Sequence, residues 1–129
     1  MARVADRRRQ LGTMGEQIAR RHLEARGYEL VEQNFRTRYG ELDIVAAAGG
    51  VLVFCEVKTR VANGRPGPFA PLASVGTRKQ RQLRRMAAQW LAARGRPRGT
   101  RAGVRFDAIG VSLDPGGRLL ALDHLENAF

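Results

Sequence analysis

Cysteine is nearly absent from this chain: among 129 residues there is one, Cys55, inside the apolar run VLVFC. An internal disulfide and any multi-cysteine zinc site are therefore excluded, and Cys55 reads as a small core residue. Long apolar runs are missing too. The basic start MARVADRRRQ is not followed by a signal-type apolar stretch, and no segment approaches the roughly 18 apolar residues of a membrane span. A soluble, cytoplasmic protein with no membrane partner is expected. Acidic residues are few, 12 against 23 Lys and Arg, which leaves a net charge of +11. That balance points to a polyanionic partner, nucleic acid ahead of an anionic membrane surface or an acidic protein. Lysine is also scarce, only Lys58 and Lys79 among the 23 basic residues. A lysine kept two positions after Glu56 in so Arg-rich a chain suggests that an amine is wanted there.

What is present is patterned as one α/β domain with no internal repeat. Residues 1–10 read as a basic, flexible arm, and Thr13 to Arg26 as a helix stopped by Gly27. Tyr28 to Phe35 reads as a strand, followed by the polar turn Arg36-Thr37-Arg38-Tyr39-Gly40. Residues 61–76, rich in proline and glycine, are expected to form a mobile loop. Thr77 to Arg94 is the clearest helix, with Leu83, Met86, Ala87, Trp90 and Leu91 as its inward stripe. Arg78 and Arg81 fan over its outer face, and Lys79 and Gln80 flank the stripe at its start. Val104 to Leu113 and Arg118 to Leu125 read as two further strands, giving the order α-β-β-β-α-β-β. Asp107 is expected to pair with an arginine, and His124 to be a packing or surface residue.

The chain is organised around Glu41 to Lys58, ELDIVAAAGGVLVFCEVK, two apolar runs joined by Gly49-Gly50. A two-residue hairpin loop there pairs Ala48 with Val51, and hence Asp43 with Glu56 and Glu41 with Lys58. All four charges then share one face, at one end of strands apolar on both sides. An Asp opposite a Glu is unfavourable unless a cation lies between them. A divalent metal such as Mg²⁺ or Mn²⁺, which prefers hard carboxylate oxygens, accounts for the pair. With an amine beside it and a basic surface, the cluster suggests metal-assisted phosphodiester hydrolysis. Glu16, at the edge of the first helix's inward arc, either points to this site or is an acid favoured by the helix dipole.

On these residues the sequence resembles the PD-(D/E)xK nuclease superfamily, with Asp43 as its first acid and Glu56-Val57-Lys58 as its (D/E)xK. The leading proline is replaced by Leu42. More narrowly it resembles the bacterial YraN family, related to archaeal Holliday-junction resolvases. The stretches GEQIARRHLEARGYELVEQNFR, GELDIVA, LVFCEVKTR, RKQRQLRRMAAQWL, RFDAIGV and HLENAF carry the likeness. It implies a restriction-endonuclease-like core with a mixed central sheet flanked by helices. It implies Asp43, Glu56 and Glu16 as metal ligands, Lys58 as the residue acting on the attacking water, and Glu41 in support. Arg36, Arg38, Arg60, Arg78, Lys79, Gln80 and Arg81 are the expected nucleic-acid contacts. The expected substrate is structured or branched DNA, more than RNA, and a homodimer if the substrate is a junction needing two cuts. A non-catalytic nucleic-acid-binding module on the same fold and an RNA-processing nuclease are the alternatives.

Overall fold

The structure is a computed structural model that describes residues 4–67 and 76–129. Its elements are α1 (Val4–Ala25), β1 (Glu29–Thr37), β2 (Gly40–Ala48), β3 (Val51–Val61), α2 (Thr77–Arg94), β4 (Gly103–Leu113) and β5 (Leu119–Leu125). The order is the one expected from the sequence. The strands form one sheet in the order β1-β2-β3-β4-β5, antiparallel except for the parallel pair β3–β4 that α2 connects. This mixed, helix-flanked sheet is consistent with a restriction-endonuclease-like core.

The first helix departs from expectation. Residues 4–10, read as an arm, belong to α1, which begins at Val4 and not at Thr13. Arg, Gln and Ala are good helix formers, and two contacts hold the extra turns: Leu11 is buried, and Arg7 donates to Pro115 O at 2.6 Å. Half of the proline-rich loop, residues 68–75, lies outside the described residues.

Each helix covers one face of the sheet. Leu11, Ala19 and Leu23 of α1 pack on Ile44, Ala46, Val53, Cys55, Ile109 and Val111. Leu83, Met86, Ala87 and Trp90 of α2 pack on Leu42, Val45, Leu52, Phe54 and Phe106. The central strands are thus buried on both sides, as their apolar runs require, and Cys55 is a core residue. Trp90 also donates its indole N–H to Glu32 at 3.0 Å, and Arg94 grips the same carboxylate at 2.8 and 3.0 Å.

The hairpin turns as expected. Gly49 and Gly50 have φ of 57° and 82°, the positive pair of a two-residue turn. Ala48 lies opposite Val51, and the register runs to Ile44 opposite Cys55. There the ladder between β2 and β3 stops. Beyond it β2 stays paired with β1 as far as Gly40, while β3 stays paired with β4 as far as Val61. The sheet forks, and the fork opens at Asp43.

Candidate active site

Two residues facing each other across β1 and β2, Asn34 and Asp43, make the fork. Strand alternation would put Leu42 on the α1 face with Ile44 and Ala46, yet Leu42 packs under α2 with Val45. On β1, Gln33 reaches Arg20 of α1, whereas Phe35, two residues on, packs on the α2 side. Both strands change face at this pair. Asn34 supplies the backbone change with φ 56°, a left-handed conformation that asparagine tolerates better than most residues. Asp43 supplies the hydrogen bond that the split ladder lacks: its Oδ2 accepts from Val57 N at 2.8 Å.

This face change corrects the grouping expected from a regular hairpin. Asp43 is gathered with Glu16 of α1 and Glu41 of β2, their oxygens within 4.8 Å of one another, while Glu56 lies outside that set. Glu41 does not oppose Lys58. It lies 3.6 Å from Arg36, whose side chain is 89 % exposed. In the orientation that satisfies its amide, Asn34 donates to Glu16 Oε2 at 3.1 Å and to Glu41 Oε1 at 2.9 Å. Glu56, only 8 % exposed, turns toward α2. Its Oε1 lies 3.1 Å from Lys79 Nζ and 3.9 Å from Lys58 Nζ. Its Oε2 is buried and has no hydrogen-bond partner among the described residues.

The electrostatics follow from this crowding. Burial pushes the Asp43 carboxyl up to about 7, and Glu16, Glu56 and Glu41 add to the rise against the hydrogen bond from Val57 N. Burial and Glu41 also raise Glu16, with Asn34 opposing. Carboxylates that repel one another in this way, near a buried oxygen with no partner among the described residues, form a donor set suited to a hard divalent cation.

Gly15, one residue before Glu16, lets α1 come this close: a Cβ there would stand 1.9 Å from Thr59 Oγ1 on β3. A glycine inside a helix costs about 1 kcal/mol relative to alanine, and here it brings Glu16 against the strand that carries Lys58. Neither Gly15 nor Asn34 stands out in the sequence as a site residue. Their signals are a helix-interior glycine and a small polar amide within the strand run YELVEQNF.

The basic residues divide. Arg78, Arg81 and Arg85 of α2, with Tyr39, Thr77 and Gln82, line a groove of about 630 Å³. Arg38 and Arg85 each lie 5.6 Å from the centre of the Tyr39 ring, at the tip between β1 and β2. Helix α2 has Gly76 at its N-cap, and among the described residues it has no side-chain cap and no acid in its first turn. Arg36 borders the acidic group through a smaller pocket of about 380 Å³ shared with Arg9, Glu16, Asn34 and Glu41. Arg60 is held differently: its guanidinium donates to Ser112 Oγ at 2.7 Å and to Gly67 O. Gln80 sits half-buried in the first turn of α2.

A second buried acid lies away from the fork. Asp107 accepts from Arg105 at 2.8 and 2.9 Å, from Asn127 N at 3.0 Å, and meets His124 Nε2 at 2.8 Å. The arginine partnership is the expected one, whereas His124, expected as a packing or surface residue, is a hydrogen-bond partner of Asp107.

The model of UPF0102, an uncharacterised protein family, matches residues 15–111. A UPF0102 protein of Pelotomaculum thermopropionicum is 43 % identical over 126 residues, covering 98 % of this chain and all of that one. One from Mycobacterium marinum is 49 % identical over 108 residues, 82 % of this chain and 84 % of the relative. One from Geobacter metallireducens is 43 % identical over 119 residues, 92 % of this chain and 91 % of the relative. The chain belongs to the UPF0102 family.

Proposed function

We propose that this member of the UPF0102 family is a metal-dependent nuclease that hydrolyses phosphodiester bonds in structured or branched DNA. The observation that carries this reading is the fork: Glu16, Glu41 and Asp43 converge where β2 leaves β3, near a buried Glu56 oxygen that has no partner among the described residues. Asp43, Glu56 and Glu16 would hold Mg²⁺ or Mn²⁺. Such an ion polarises a scissile phosphate and lowers the pKa of a bound water.

The chain's own residues supply the rest. Asn34 fixes the Glu16 and Glu41 carboxylates by donating to both. Lys58, on the same strand as Glu56 and two residues beyond it, presents an ammonium to the attacking water or to charge developing on the phosphate. Arg78 and Arg81, at the uncapped positive end of α2, bind flanking phosphates. A branched substrate cut on both strands needs two such sites, so a homodimer belongs to this reading.

The test is cleavage of branched and linear DNA, and of RNA, with Mg²⁺ or Mn²⁺. Lys58→Ala and Asp43→Asn are each expected to lower the rate by roughly a hundredfold or more, a loss on the scale of removing one transition-state donor. Activity that survives both changes equally overturns the assignment. Salt-sensitive binding without cleavage, untouched by substitution of Glu56, identifies a non-catalytic nucleic-acid-binding module instead.

A further inference from the structure

The chain keeps two lysines among 23 basic residues, and the fold brings both to one atom. Lys79 Nζ lies 3.1 Å and Lys58 Nζ 3.9 Å from Glu56 Oε1. They arrive from different elements, β3 and the first turn of α2. Only Lys79 is within ordinary hydrogen-bond distance. Lys79 is 39 % exposed while its carboxylate partner is 9 % exposed, so the ammonium can swing outward and the carboxylate cannot. The next residue, Arg78, lines with Arg81 and Arg85 a basic groove suited to a phosphate.

We propose that Lys79 is a placeholder cation, neutralising Glu56 in the metal-free protein and passing to the nucleic-acid backbone when a divalent cation takes that carboxylate. The inference rests on the nuclease reading above. Two cations on one carboxylate repel each other, so an ion arriving at Glu56 drives the ammonium off, and the nearest anion for it is a phosphate held by the α2 arginines. In the other direction, a phosphate in the groove draws Lys79 away and leaves Glu56 a better ligand. Metal and nucleic acid therefore tighten each other's binding by the same factor. This accounts for a lysine where the composition favours arginine: a guanidinium fork would grip Glu56 through two parallel bonds, whereas an ammonium on a flexible stem lets go.

The experiment is Mn²⁺ titration calorimetry on the full chain, alone and with a short DNA duplex verified intact on a gel. Lys79→Met, Lys79→Arg and the charge-matched control Arg81→Met are compared with the unsubstituted protein, and circular dichroism verifies that each is folded. Without DNA, Lys79→Met is expected to bind Mn²⁺ about tenfold more tightly, Arg81→Met within about twofold, and Lys79→Arg no more tightly than the unsubstituted chain. DNA is expected to tighten Mn²⁺ about tenfold for the unsubstituted chain and by less than about twofold for Lys79→Met. Unchanged or weaker binding by Lys79→Met, or an equal gain in Arg81→Met, overturns the proposal while leaving the nuclease reading intact. If the unsubstituted chain binds no Mn²⁺ with or without DNA, the nuclease reading fails and the placeholder with it.

Discussion

Two aspartates sit inside the same sheet, and the more deeply buried one is the stronger acid. Asp107 is fully buried. Burial alone would raise its carboxyl, but hydrogen bonds from His124, Arg105 and Asn127 N outweigh that and hold it below the ordinary value. At Asp43 burial is again the largest influence, but only one backbone N–H opposes it and three carboxylates add to it, so the carboxyl is pushed up to about 7. The number of donors and the sign of the neighbours decide the outcome. At Asp107 the chain supplies its own cation and closes the network, with Tyr28 bonded to Arg105 at 2.5 Å and His22 to His124 at 3.0 Å. At Asp43 it supplies more carboxylates, and on the proposed reading the cation comes from outside.

Substitution at the closed site should have the largest effect. Asp107→Asn leaves Arg105 without its charge partner, and removing one member of a buried pair costs about 3–5 kcal/mol. Urea denaturation at neutral pH should show that loss. A change below about 1 kcal/mol would mean that the network does not anchor β4, β5 and the C-terminal segment.

The corresponding change at the fork should act in the opposite direction. Asp43 holds its proton more tightly folded than unfolded. Between its ordinary value of 3.8 and about 7, unfolding releases that proton, so metal-free stability falls as pH rises through this window. Asp43→Asn keeps an acceptor for Val57 N and removes the charge. It should therefore stabilise the metal-free protein at pH 8, by up to roughly 4 kcal/mol, and the gain should vanish below pH 4. Asp107, with its lowered value, gives the reverse slope: its stabilisation is present above 3.8 and lost as pH falls below it. Parallel pH profiles for the two variants would remove the contrast between the sites.

The smallest effect concerns the hinge of the fork. Asn34→Gly keeps the left-handed backbone and deletes the amide, whereas Asn34→Ala loses both. The alanine variant should be the less stable by about 1 kcal/mol. Both should raise the Glu16 pKa further, because the Asn34 hydrogen bond is what opposes its rise; carboxyl-resolved NMR titration reads this directly.

The pattern of legibility follows the same division. The hairpin register could be read because Gly49-Gly50 fixes a two-residue turn, and counting outward from it gives the observed pairs to Ile44 and Cys55. The two helix-covered faces could be read from strands apolar on both sides. Alternation fails at Asn34 and Asp43, since a period of two assumes an unbroken pleat and a left-handed asparagine inverts it. Regular alternation therefore pairs Asp43 with Glu56 and Glu41 with Lys58, whereas in the fold Asp43 gathers Glu16 and Glu41, and the lysine nearer Glu56 is Lys79, which flanks the inward stripe of α2. The early start of α1 was hidden by its sparse apolar residues, because the contacts that hold it, such as Arg7 with Pro115, are 108 positions apart.

The claim that the fork awaits an external cation is tested most directly by Mn²⁺ titration calorimetry of the metal-free protein near pH 6.5, run in two buffers of different ionisation enthalpy. Saturable binding is expected in the unsubstituted chain, with proton release because Asp43 is still largely protonated there, and no saturable binding in Asp43→Asn. Equal Mn²⁺ binding by the two proteins, or none by the unsubstituted chain, would contradict it.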